Sequence, residues 1–247
     1  MPLLYLSPST QEFNHYVNGG TEEFYMNLIA DAMIPYLRAS GIRYIRNTPD
    51  MTAASSIAQS NSYPVDLHVA LHSNAAPDDK SGEIQGSLVF YYPTSHWGQA
   101  AADIVAAGLR EIYPQPDLVR AVSTTTLGEV ARTRAPSILI EFAYHDNPED
   151  AQWIKSNIQA IAKNVVRSLT RYFGLPFLQP APDQHAVVRT QGGPLRLRDR
   201  PNLSSPVIGL MPNGARVTVT GQWEGWKVVE YQGLLGFADA RYLRPTC

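Results

Sequence analysis

A chain of 247 residues can hold one large domain, or a medium and a small one that each have a core. With 44% hydrophobic and 17% charged residues it has the composition of an ordinary globular protein, which excludes wholesale disorder. No apolar run approaches the roughly eighteen residues needed to cross a bilayer, so no membrane insertion is expected.

The net charge of −2 is unevenly divided. Residues 186–247 carry eight Lys/Arg against four Asp/Glu, whereas residues 1–185 carry twelve against eighteen. A cationic small part beside an acidic large one points to an anionic polymer as partner, or to ordinary scatter of charge. The basic residues are not densely clustered, and no nucleic-acid partner is expected. Cys247 is the only cysteine, so the sequence offers no internal disulfide, cysteine metal cage or cysteine nucleophile. The opening MPLLYLSPSTQ lacks the basic start, long apolar stretch and small-residue cleavage site of a secretory signal. The expectation is a protein that reaches its site of action by cell lysis or by signal-independent release.

In chain order, Leu3–Leu6 reads as a strand and Glu22–Ser40 as a helix with Thr21 as its N-cap. Acidic residues in a first turn are favoured by the helix dipole, which accounts for Glu22 and Glu23 without any function. Pro35 is expected to kink this helix. Strands follow at Arg43–Arg46, Asp66–His72 and Ser87–Tyr92, then a helix at Trp97–Tyr113 and a strand at Ser137–Phe142. The last helix, Glu149–Phe173, places Trp153, Ile154, Ile158, Ile161, Val165 and Leu169 on one apolar stripe. Such alternation predicts an α/β domain, a mostly parallel sheet flanked by helices. The helical pattern stops at Gly174, and residues 176–185 are proline-rich without periodicity, as in a linker. Beyond them PLRLR, PVIGLM, ARVTVTGQ, WKVVEY and LLGFADA are short β-type runs broken by turn residues, the pattern of a small all-β barrel. The predicted division is 1–175, a linker at 176–185, and 186–247.

Three residues carry possible chemistry. His72 ends an apolar strand, where ligands of open α/β sheets gather; it is either a zinc-type ligand or a histidine capping the next loop. His68 lies on the same face about 13 Å away, too far to share one ion, and is read as structural. Glu141 ends the apolar SILIE run, where a carboxylate is costly unless paired or near a metal. It is read as a general base ahead of the alternative, a structural glutamate paired with a residue such as Arg134.

The series E-x-x-x-N-L-I-A, D-L-H-V-A-L-H-S-N-A and I-L-I-E-F-A-Y-H-D-N-P-E-D resembles the zinc-dependent N-acetylmuramoyl-L-alanine amidases over residues 3–173. The resemblance implies a bound Zn2+ ion held by Glu23, which has Asn27 four residues on, and by His72, followed by Asn74. It implies Glu141 as the catalytic residue, with Asn147 and Pro148 completing its motif. The family's first ligand is a histidine just after the first strand; here Ser9, Thr10 and Gln11 stand there, and His15 is the nearest histidine and the expected third ligand. His145 is the other candidate, for metal or substrate, and with Asn74 it is expected to bind substrate.

The C-terminal sixty residues resemble a bacterial SH3 domain, with Leu197 and Arg198, Gly225 to Val228, and Gly236 and Phe237 in its characteristic segments. Such domains commonly bind wall peptides or cross-bridges; Trp226 is expected in the core. The resemblance thus implies peptidoglycan as partner and hydrolysis of the amide between N-acetylmuramic acid and L-alanine, in an endolysin, an autolysin or a sporulation enzyme. An inactive amidase-like wall-binding protein and a zinc peptidase acting within the stem peptide are the alternatives. The sequence leaves oligomeric state open.

Overall fold

The computed structural model describes residues 1–246. It divides into two compact units, each with its own sheet. The larger comprises Leu3–Ile34 and Tyr44–Tyr172; the smaller comprises Met1–Pro2, Pro35–Arg43 and everything from Phe173.

The larger unit holds six strands, β1 (Leu3–Pro8), β2 (Arg43–Arg46), β3 (Leu67–Asn74), β4 (Ser87–Tyr91), β5 (Val119–Ser123) and β6 (Ser137–Tyr144), in the order β2-β1-β3-β6-β4-β5. β1, β3 and β6 pair in parallel, as do β4 and β5, while β4 runs antiparallel to β6. The mostly parallel α/β fold expected from the sequence is therefore present. β3 is buried through its first seven residues, which requires covering elements on both faces. The helices are α1 (Glu22–Ala39), α2 (Ala53–Asn61), α3 (His96–Leu109), α4 (Gly128–Ala131), α5 (Pro148–Ser156) and α6 (Ile158–Phe173).

Local chemistry explains where these elements start and stop. Thr52 and Ser55 close a capping box at the start of α2, an element the sequence patterns did not predict, nor did they predict β5 or α4. The helix expected over 149–173 is two helices. Asn157 stands at the break, where its Nδ2 donates to the Trp153 carbonyl at 2.8 Å and its own carbonyl accepts from Ile161. α1 runs on through Pro35 as one helix. Leu4, Leu6, Met26, Ile29, Leu67, Leu71 and Phe142 are fully buried, each contributing about 1.5–3 kcal/mol by leaving water.

The smaller unit is all antiparallel: β7 (Gln184–Val188), β8 (Leu195–Arg198), β9 (Val207–Met211), β10 (Arg216–Trp223), β11 (Trp226–Tyr231), β12 (Leu234–Asp239) and β13 (Leu243–Pro245), ordered β13-β7-β10-β11-β12-β8-β9. Val188, Leu197, Met211, Val229 and Ala238 form its core. Gln232 and Gly233, both at positive φ, make the tight turn between β11 and β12. β7 begins at Gln184, within the last residues of the predicted linker.

Candidate active site

Leaving β1, the chain crosses first to β2 on one side and then to β3 on the other, so a crevice is expected beyond the carboxyl ends of β1 and β3. His72 sits near the end of β3, in register with Glu141 on β6, so both side chains lie on one face. The first turn of α1 delivers Glu22, which is 1% exposed, to the same place.

His72 is held between two carboxylates. Its Nδ1 lies 2.8 Å from Glu22 Oε1, and its Nε2 lies 3.1 Å from Glu129 Oε2. Glu22 also accepts from the Ser73 backbone N–H and, at 2.5 Å, from Asn14 Nδ2. The other oxygen of Glu129 faces His68 Nε2 at 3.1 Å and accepts from Ser7 Oγ at 2.5 Å. His68 completes the chain with Ser60 Oγ at 2.9 Å and stacks on Tyr5. One carboxylate therefore joins two histidines that are four residues apart on β3. A cleft of about 390 Å³ opens over the group, lined by Ser9, Gln11, Phe13, Met51, His72 and Glu129 among others.

The charges are set by this pairing. Burial opposes a charged His72 ring, but the bonds to Glu129 and Glu22 outweigh it and raise its pKa well above the usual value. Burial likewise opposes ionisation of Glu129 and Glu22, yet the bonds from His68 and His72 to the former, and chiefly from His72 to the latter, hold both below the usual carboxylate range. Glu141 is different. Burial pushes it up to about 7, with the positive His72 opposing and the negative Glu22 adding to the rise. Its Oε2 is closed off from solvent without a hydrogen-bond partner. Arg134 spends its guanidinium on the Asn61 carbonyl.

The residues singled out by sequence fall into two groups. His72 and Glu141 come together. Glu23, one residue along the helix from Glu22, instead accepts from Asn27 Nδ2 at 3.0 Å. His15 is exposed and forms a backbone bridge with Thr21. His145 is buried, with Nδ1 beside the Ser73 carbonyl at 2.9 Å and Ser73 Oγ at 3.1 Å, and its ring is stacked on Tyr16. Asn74 accepts from the Ala75 N–H, and Asn147 caps α5 ahead of Pro148.

Glu22 and Glu129 escaped the sequence reading. Glu22 had a usable signal: it precedes the buried Met26, Ile29, Met33 and Leu37 at steps of four, three, four and four, so it lies on the buried face of α1. Glu129 had none, because α4 is only four residues long.

His72 Nδ1 and Glu22 Oε1 lie 2.8 Å apart, and Glu129 backs the ring as carboxylates back metal-binding imidazoles. A nitrogen and an oxygen donor of these types suit zinc. Two ligands fit. Among the described residues no group of three His, Cys, Asp or Glu side chains is placed to hold an ion, and the side chain beside the pair is Gln11, whose Nε2 is 3.4 Å from His72 Nδ1.

Comparison with known proteins gives a consistent picture. A sequence profile described as N-acetylmuramoyl-L-alanine amidase matches residues 10–171, and one described as bacterial SH3 domain matches residues 193–244. No curated protein sequence matches the chain. Among solved structures, the N-acetylmuramoyl-L-alanine amidase AmiC2 of Nostoc punctiforme is similar with a TM-score of 0.60 at 16% identity, covering 70% of this chain and 97% of that one. The amidase Ami1 of Mycobacterium smegmatis gives 0.59 at 16% identity, covering 70% and 97%. The catalytic domain of the CD27L endolysin, which targets Clostridia difficile, gives 0.57 at 20% identity, covering 69% and 98%.

Proposed function

Since the chain belongs to the N-acetylmuramoyl-L-alanine amidase family, we propose that it is a Zn2+-dependent hydrolase of the amide joining the lactyl group of N-acetylmuramic acid to L-alanine in peptidoglycan, of the endolysin or autolysin type. The observation that carries this reading is the unpartnered, buried Glu141 Oε2 beside the Glu22–His72 pair at the strand ends. A carboxylate pushed up to about 7 is matched to taking and returning protons near neutral pH.

Glu22 and His72 would hold the ion, and Glu129 would fix the ring of His72 from behind. Zn2+ bound there supplies Lewis acidity towards the scissile carbonyl and a water. Glu141 accepts the proton of the attacking water and delivers it to the departing nitrogen of L-alanine. Ser7 and His68 hold the other oxygen of Glu129 in place.

Purified protein should release new L-alanine amino termini from peptidoglycan without new reducing sugar ends. Reducing ends without amino termini would indicate a glycosidase instead. The ligand assignment has its own test, bound zinc. Glu22→Ala should lose the metal, while Glu23→Ala and His15→Ala should keep it; loss in either of the latter returns the site to the family-like set.

A second reading, an inactive wall-binding protein, is favoured by one feature. Ser9, Thr10 and Gln11 stand where related chains supply a histidine, and both nitrogens of His72 are already engaged. Wild-type protein that binds walls yet takes up no zinc and releases no amino termini would establish it.

A further inference from the structure

The excess positive charge of residues 186–247 is gathered in one place. Of the eight Lys/Arg there, five (Arg189, Arg196, Arg198, Arg241 and Arg244) line one cleft of about 650 Å³ on the barrel, together with Trp226. The cleft contains one acid, Asp239, which is already paired with Arg241 at 2.6 Å. Among the described residues, ion pairs in this unit take up Arg38, Arg200 and Arg241 but none of Arg189, Arg196, Arg198 or Arg244. Arg198 and Arg244 each donate only to a backbone carbonyl, of Ser205 and Arg241.

Arg198 is buried, but Arg189, Arg196 and Arg244 are exposed; three like charges around one concavity repel one another, and they are stabilised by an anion of matching charge density. The planar fork of arginine pairs two-fold with phosphate or carboxylate oxygens. The volume is that of a small-molecule site rather than of a single ion. Trp226 is half-buried on its wall, and Tyr242, under the guanidinium of Arg241 at 5.7 Å, adds a second ring. Aromatic faces of this kind take the apolar side of a sugar or polyol while the arginines take its acid groups. A stem peptide presents its carboxylates singly, whereas a phosphodiester chain places a negative charge on every repeat. That repetition fits the three exposed arginines that make no ion pair among the described residues, Arg189, Arg196 and Arg244.

We propose that this cleft binds a phosphodiester-linked polymer of the bacterial wall, holding the protein beside the peptidoglycan it cuts. The inference rests on the proposed wall target and adds a ligand for the barrel.

The experiment uses the full chain, with purified Gram-positive walls sedimented before and after hydrofluoric acid removes their phosphodiester polymers. Untreated walls should bind about tenfold or more tightly than stripped ones, with affinity falling steeply as salt rises. Soluble poly(glycerol phosphate) should compete, and poly-γ-glutamate and single-stranded DNA of equal charge should compete at least about tenfold less well. Arg196→Glu and Arg244→Glu should each lower wall affinity about tenfold, whereas Arg216→Glu, outside the cleft, should change it less than about threefold. Equal binding to stripped and untreated walls overturns the proposal, as does equal competition by polyglutamate or DNA. Release of L-alanine termini from stripped walls is scored in parallel. Its absence counts against the amidase reading and leaves the binding result to be judged separately.

Discussion

At the strand ends His72 lies between two carboxylates and Glu129 between two histidines, all within 3.1 Å, whereas Glu141 Oε2 has no hydrogen-bond partner; in the barrel cleft the exposed Arg189, Arg196 and Arg244 have no acidic partner among the described residues. The difference follows from water. A buried charge must be compensated by the protein, because desolvation costs several kcal/mol per ion, so the deep site builds its own counter-charges. An exposed cluster is compensated by solvent and salt until a ligand arrives, and can therefore be kept as unused binding capacity. Where a buried site leaves one group uncompensated, that group is the candidate for chemistry.

The largest effect should come from that exception. Glu141→Gln should retain the fold and lose about 100- to 10,000-fold in turnover, because an amide cannot accept the proton. Near-full turnover would place Glu141 with the structural residues. Next is the group that compensates most. Glu129→Ala removes the anion shared by His68, His72 and Ser7, and urea unfolding should show a loss of about 3–5 kcal/mol. A loss under about 1 kcal/mol, the range of an exposed pair, would erase the contrast between the two clefts.

The third effect has the opposite sign. The folded value for Glu141, about 7, lies above its unfolded value of 4.5, so ionisation is penalised only in the folded protein. The penalty is absent below the unfolded value, grows as pH rises between the two and is complete above about 7. In chelator, Glu141→Gln should therefore unfold at a higher temperature than wild type at pH 8, by up to about 3 kcal/mol of stability, and show little gain at pH 4. A gain independent of pH would mean that charge is not the cause. The smallest effect belongs to the barrel, where Arg196→Ala should shift stability by no more than about 0.5 kcal/mol while wall binding falls.

These contrasts also explain what could be read from sequence. His72 and Glu141 were legible because each sits at the end of an apolar run, and the break in pattern marks the site. Glu22 was masked by Glu23, since two adjacent acids in a first turn look alike until the buried face of the helix is counted. Glu129 was not legible, because its partners are 57, 61 and 122 residues away and only the folded sheet brings them together. Trp226 was expected in the core and is half-buried on the wall of the arginine cleft; alternation along a strand gives the side it faces but not whether that side is covered. The eight basic residues of the barrel were countable, but their gathering was not, since the five of the cleft come from two stretches, 189–198 and 241–244, that only the folded barrel brings together.

Helix α1 begins in one compact unit and ends in the other, the change falling between Ile34 and Pro35. The barrel unit uses that end: Thr220 Oγ1 donates to the Arg38 carbonyl, the Leu178 N–H donates to Ser40 Oγ, and Gly221 lies so close to the Ala39 carbonyl that an added Cβ would come within 2.3 Å of it. Anyone building chimeras from this protein therefore meets an awkward seam. A graft that exchanges everything after residue 176 discards the strands but leaves behind a helical stub shaped for them, while the transplanted barrel arrives without Pro35–Arg43. A chimera designed to keep that stub with its barrel would have to interrupt α1 itself, so exchanging the barrel here asks for helix surgery and not merely a change of linker.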